Sequence, residues 1–90
     1  MRHGDHANGY VILDEIGEGG MSIVYLAHDT EHRNKVVVKQ LKEQLATDAE
    51  FVARFRQAAT IMQELRHPHL ASVIDYIEQD GLCLVVEEYL

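Results

Sequence analysis

Three glycines and one lysine have the residue types and spacing to do chemistry. Gly17, Gly19 and Gly20 interrupt the stretch from Ile16 to Tyr25, and Lys39 follows Val36, Val37 and Val38. Lacking Cβ atoms, glycine backbone can take φ > 0 and bring its N–H groups close to an anion, a composition suited to cradling phosphate. The same glycines would also serve an ordinary hairpin. Lys39 has two readings as well, a solvent-facing strand residue or a phosphate ligand. Its place shortly after the glycine turn favours the ligand, because a flexible cation beneath such a turn can reach phosphate oxygens.

The residues after the turn separate the phosphate-binding patterns. Ile23 to Ala27 is β-branched and aromatic and predicts a strand. A dinucleotide-binding fingerprint needs a helix to open there, and a Walker-type loop needs Gly-Lys-Ser/Thr, which the sequence lacks. Histidine offers no metal site: His3 and His6 have no further ligands near them, and His28 and His32 would share a face only on a helix. The single Cys83 excludes an internal disulfide and suits a reducing compartment, where a buried thiol is a small inert hydrophobe.

The elements that must position these residues follow from periodicity. Residues 1–9 are polar and aperiodic and predict a disordered lead-in. Strands are expected over Tyr10–Ile16, Ile23–Ala27, Asn34–Leu41, Leu70–Ile77 and Leu82–Glu87, with charged residues 29–35 and Asp80-Gly81 as turns. Thr47-Asp-Ala-Glu50 has the form of a capping box, Thr47 as N-cap and Glu50 reaching back to it. Behind it Phe51, Phe55, Ala58, Ala59, Met62 and Leu65 recur at helical spacing, predicting a long helix that ends near Arg66, before a turn at His67-Pro68-His69.

Gly17-x-Gly19-x-x-Ser22-x-Val24, Val36-Val37-Val38-Lys39, the helix from Phe51 to Leu65 and His67-Pro68 together resemble the N-terminal lobe of a bacterial-type serine/threonine protein kinase, from about Tyr10 to Leu90. The resemblance implies an α+β fold: a five-stranded twisted antiparallel sheet with one major helix, the αC helix, in a domain spanning 10–90 that stops at the hinge. It implies ATP as ligand. Ile16, Val24, Val37 and Val86 would sandwich adenine; the amides of Gly17, Glu18, Gly19, Gly20, Met21 and Ser22 would cover the phosphates; Lys39 would contact them. Backbone groups of the hinge, Glu87 to Leu90 with Tyr89 among them, would bond adenine, with Val86 as gatekeeper in the preferred register and Glu87 in the alternative. His32-Arg33-Asn34 looks like a catalytic-loop His-Arg-Asp but precedes the hinge, and so reads as a solvated turn. Magnesium and catalytic residues would come only from a C-terminal lobe.

Two positions depart from the family pattern. Ala58 stands where the αC glutamate would orient the lysine, and Val37 where alanine usually faces adenine. Glu64 lies about 240° further round the helix and Glu50 about 12 Å back along it, so neither replaces that glutamate simply. Gln57 offers only a neutral hydrogen bond. The alternative function is therefore a non-catalytic kinase-like interaction module or truncated pseudokinase lobe, binding a protein partner or a C-lobe through the αC face and the lower edge.

Composition bounds the remainder. Ninety residues, 47% hydrophobic and 26% charged, hold one small core. Fifteen acidic against eight basic residues give a formal charge of −7, which opposes binding to nucleic acid or anionic membrane. With no long apolar segment or signal-like start, the chain reads as cytoplasmic.

Overall fold

The computed structural model describes residues 1–65 and 71–90. Its elements in chain order are β1 (His6–Ala7), β2 (Tyr10–Glu18), β3 (Ser22–Asp29), β4 (Asn34–Leu41), α1 (Glu43–Ala46), α2 (Ala49–Glu64), β5 (Val73–Gln79) and β6 (Leu82–Glu88). All pairings are antiparallel, and the sheet runs β1-β2-β3-β4-β6-β5. The sheet thus has six strands where five were expected. The addition comes from the lead-in read as disordered: Asn8 (φ 47°) and Gly9 (φ 89°) occupy the left-handed region that a two-residue hairpin needs, and Ala7 pairs with Tyr10 across them. Asp80 (φ 51°) and Gly81 (φ 78°) make the same kind of turn between β5 and β6.

Alternation along the strands divides the sheet into two faces. One face holds Ile12, Tyr25, Ala27, Val36, Val38, Ile77, Leu84 and Val86, all nearly or fully buried. The sheet curls around this core far enough for Tyr10 on β2 to hydrogen-bond Asp75 on β5 at 3.3 Å, although several strands separate them. The other face carries a smaller cluster, Ala59, Val73 and Val85 with Phe55, Met62 and Tyr76, where α2 packs on the sheet. Phe55 and Tyr76 meet with ring centroids 6.1 Å apart.

The helix begins one residue later than the capping box placed it. Asp48 is the N-cap and accepts from the Glu50 amide at 2.9 Å, whereas Thr47 closes the short α1 and donates to the Gln44 carbonyl at 3.1 Å. Glu50 pairs forward with Arg54 at 2.6 Å instead of reaching back. α1 was not expected from the sequence; it uses up the residues that the box reading left as linker. Within the stripe only Ala59 is buried, and Leu65 is 52% exposed. The expected turn at 67–69 and the start of a strand at Leu70 lie outside the described residues.

The turn between β3 and β4 is built by a buried carboxylate. Asp29 accepts from the Glu31 amide (3.0 Å), the His32 amide (3.2 Å) and His32 Nδ1 (2.8 Å). Burial works against this charge, but the His32 ring, the two amides and the charge on His32 outweigh it and hold the Asp29 carboxyl below its ordinary range. The same hydrogen bond, reinforced by the charges of Asp29 and Glu31, raises His32.

Candidate functional site

Cross-strand register gathers the candidate residues on the face opposite the main core. Gly17 pairs with Val24, Val24 with Lys39 and Lys39 with Val85, forming one row across four strands. The adjacent row of that face runs Leu26, Val37, Glu87. Paired residues share a face, so Gly17, Val24, Val37, Lys39 and Glu87 lie together, joined by Leu26 and Val85, which had not been singled out. Ile16 sits in an irregularity of β2 between Glu15 and Gly17 and is 50% exposed.

Val86 is not brought to this place. It pairs with Val38 and is fully enclosed in the core on the other face. Of the two registers weighed for the end of β6, the one with Glu87 at the gatekeeper point has the right side-chain direction. The physical reason is alternation: in a strand, side chains two apart share a face, and Val85 and Glu87 belong to the Lys39 side. Leu82 to Val86 is apolar throughout, so the sequence could not show which members faced the lysine.

The glycine turn is held without left-handed backbone. Residues 19–21 connect β2 to β3; the Gly19 amide donates to the Ser22 carbonyl (2.8 Å) and the Lys42 amide to the Met21 carbonyl (2.9 Å). None of Gly17, Gly19 and Gly20 has positive φ. A Cβ at Gly17 would meet Val24 at 3.8 Å, at Gly19 the Ser22 carbonyl at 3.9 Å, and at Gly20 nothing within 4 Å. The hairpin therefore does not require these glycines. Lys42 pairs with Glu18 at 3.3 Å, tying the start of the turn to the end of β4, and Met21 is 49% exposed at the tip. Tyr89 is half exposed, with Lys35 Nζ 6.0 Å from its ring centroid.

Lys39 has a partner that sequence reasoning did not assign. Its Nζ lies 2.8 Å from Oε2 and 3.2 Å from Oε1 of Glu87, so one carboxylate engages the ammonium through both oxygens. The Glu87 side chain is 13% exposed and that of Lys39 40%. Ala58 faces the same place: with Lys39, Phe55, Ala59, Met62, Val73, Val85 and Glu87 it lines a cavity of about 120 Å³ between α2 and the sheet. This agrees with the assignment of Ala58 to the helix position that would face the lysine.

The arrangement, a glycine turn over a sheet face centred on a strand lysine with one helix behind it, is that of a kinase N-terminal lobe. Comparison with known proteins agrees. The protein kinase domain family matches residues 10–90, and the chain belongs to that family. It is 42% identical over 81 residues to serine/threonine-protein kinase PrkC of Bacillus subtilis, covering 90% of this chain and 12% of PrkC. It is 35% identical over 81 residues to PknF of Mycobacterium tuberculosis, covering 90% of this chain and 17% of that protein. The crystal structure of the Mycobacterium tuberculosis PknI kinase domain superimposes with a TM-score of 0.83 at 29% identity, covering 100% of this chain and 36% of that one. The chain thus spans about an eighth of PrkC and corresponds to the N-terminal lobe of a serine/threonine protein kinase. No described helix is long and apolar enough to cross a membrane.

Proposed function

We propose that this lobe binds ATP and that, joined to a C-terminal lobe, it presents the γ-phosphate for transfer to serine or threonine of a protein. The observation that carries the reading is the glycine turn: its three glycines satisfy no backbone or packing need of the hairpin, yet they keep its backbone and amides clear of Cβ atoms beside the row that holds Lys39. An anion approaching those amides would gain what a Cβ would obstruct. Val24, Val37 and Leu26 supply an apolar bed for a base, Glu87 to Tyr89 the backbone edge for it, and Lys39 the phosphate contact. Val37 adds bulk to that bed, which a modest shift of the base would absorb. Magnesium would travel with the nucleotide, its protein ligands supplied by a C-lobe. Ile61, Leu65, Tyr89 and Leu90 remain half exposed or more, apolar surface of the kind a second lobe or a protein partner would cover. A cytoplasmic placement suits the buried free thiol of Cys83.

The test is titration of the ¹⁵N-labelled chain with ATP, followed by NMR. Amide shifts confined to residues 17–22, Lys39 and 87–89 are expected, and Lys39→Met should abolish them. An unchanged spectrum at millimolar ATP would overturn the reading.

A further inference from the structure

We infer that Glu87 is the positioning residue of Lys39, doing from β6 the work that a helix glutamate cannot do where Ala58 stands. The inference rests on the ATP-binding reading and adds to it how the lysine is aimed. Ala58 has no group that can reach an ammonium, and among the described residues Lys39 makes its ion pair with Glu87. That pair is set by sheet register. Glu87 lies opposite Val37 on the neighbouring strand, two positions from Lys39 and on the same face, so β4–β6 pairing alone brings the two side chains together.

Each feature of the contact fits a positioning role. Engagement by both carboxylate oxygens fixes the direction of the ammonium as well as its distance. Glu87 is largely enclosed, whereas two-fifths of the Lys39 side chain stays open. An ammonium has three donors; one hydrogen-bonds Glu87 Oε1 with Oε2 in ion-pair contact beside it, which leaves donor capacity for a phosphate oxygen. The cavity beside Ala58 is apolar in character, lined by Phe55, Met62, Val73 and Val85, and among the described residues that line it Glu87 is the side-chain acceptor for the lysine. Orientation of Lys39 is consequently independent of how closely α2 approaches the sheet.

Three chains test this: wild type, Glu87→Gln, and Glu87→Gln combined with Ala58→Glu. The first readout needs no nucleotide. Ammonium protons held by a carboxylate exchange slowly with water, so Lys39 should give a resolved ¹H–¹⁵N side-chain correlation in the wild type. That signal should vanish in Glu87→Gln and return in the double variant, whose helix glutamate takes over. The second readout is ATP affinity, expected to fall about fivefold in Glu87→Gln, the factor a partly exposed pair can supply, and to recover with Ala58→Glu. A Lys39 signal unaffected by Glu87→Gln overturns the inference. So does tighter ATP binding by Glu87→Gln, which would make Glu87 a competitor of phosphate. Absence of ATP binding by the wild type with the Lys39 signal behaving as expected would instead count against the nucleotide reading, leaving the lysine's partner established.

Discussion

Tyr10 and Asp75 join distant strands of the curled sheet: the phenol of the first residue of β2 donates to a carboxylate on β5 across 65 positions of sequence. Burial, then the nearby charges of Asp75 and Asp29 and the hydrogen bond itself, push the Tyr10 hydroxyl up to about 12. A phenol whose folded pKa exceeds its unfolded value contributes stability that is fully present below about 10 and is lost as pH rises toward 12. Tyr10→Phe should lower stability by about 1 kcal/mol at neutral pH and flatten that alkaline loss. Denaturant melts at pH 7 and across the alkaline range check both parts.

Helix capping makes a discriminating pair. Asp48→Ala removes the acceptor for the Glu50 amide and should cost about 0.5 to 2 kcal/mol. Thr47→Ala, which removes only an exposed bond to the Gln44 carbonyl, should fall within about 0.5 kcal/mol of wild type. Equal shifts in the two urea midpoints would contradict the assigned start of α2.

The carboxylate of Asp29 organises the β3–β4 turn, so Asp29→Ala should destabilise by about 1 to 3 kcal/mol through loss of its three hydrogen bonds. The pH dependence has a fixed sign. His32 is raised by Asp29, so the stabilisation from its charged form is present below about 6.5 and disappears as pH climbs through the raised value. Histidine titration by NMR should place His32 above the usual imidazole range in wild type and near it in Asp29→Asn.

Glycine substitutions separate fold from site. Gly9→Ala, at φ 89°, should destabilise by about 1 kcal/mol, since alanine is strained there. Gly19→Ala and Gly20→Ala should leave the melting curve nearly unchanged while weakening ATP binding, because a Cβ at either position meets at most an ordinary contact. Comparable losses of stability at all three positions would mean that the glycine turn serves the hairpin alone.

Much of this was legible in the sequence where local signals are unambiguous. β4 runs over Asn34–Leu41 as read, and the lysine stands on the face that the glycine turn borders. Asp80-Gly81 is legible as a turn because an expected strand flanks it on each side, whereas Asn8-Gly9 has only His6 and Ala7 before it. Two flanking residues are too few to show alternation, and they become a strand only because β2 is there to pair with. The helix start was misplaced because Thr47 and Asp48 are both good caps, and α1 decides between them by consuming Thr47. The Lys39–Glu87 contact was hidden for a different reason. It joins residues 48 positions apart, and a β6 apolar on both faces gives no clue to side-chain direction until it is aligned with β4.

The two-residue length of β1 bears on how the lobe behaves in crowded solution. An outer strand of ordinary length would offer a row of free amides and carbonyls on which another chain could nucleate. Here the outer strand is only His6 and Ala7, and the residues just before it are tied irregularly to β2 through bonds from the Gly4 amide to the Ile12 carbonyl and from the Ile12 amide to the Asp5 carbonyl. The opposite margin, β5, carries Asp75 and Glu78, with Glu78 bridged to Arg56 on α2. Recruitment of further strands, the first step toward fibrous aggregates, is thereby discouraged at both margins.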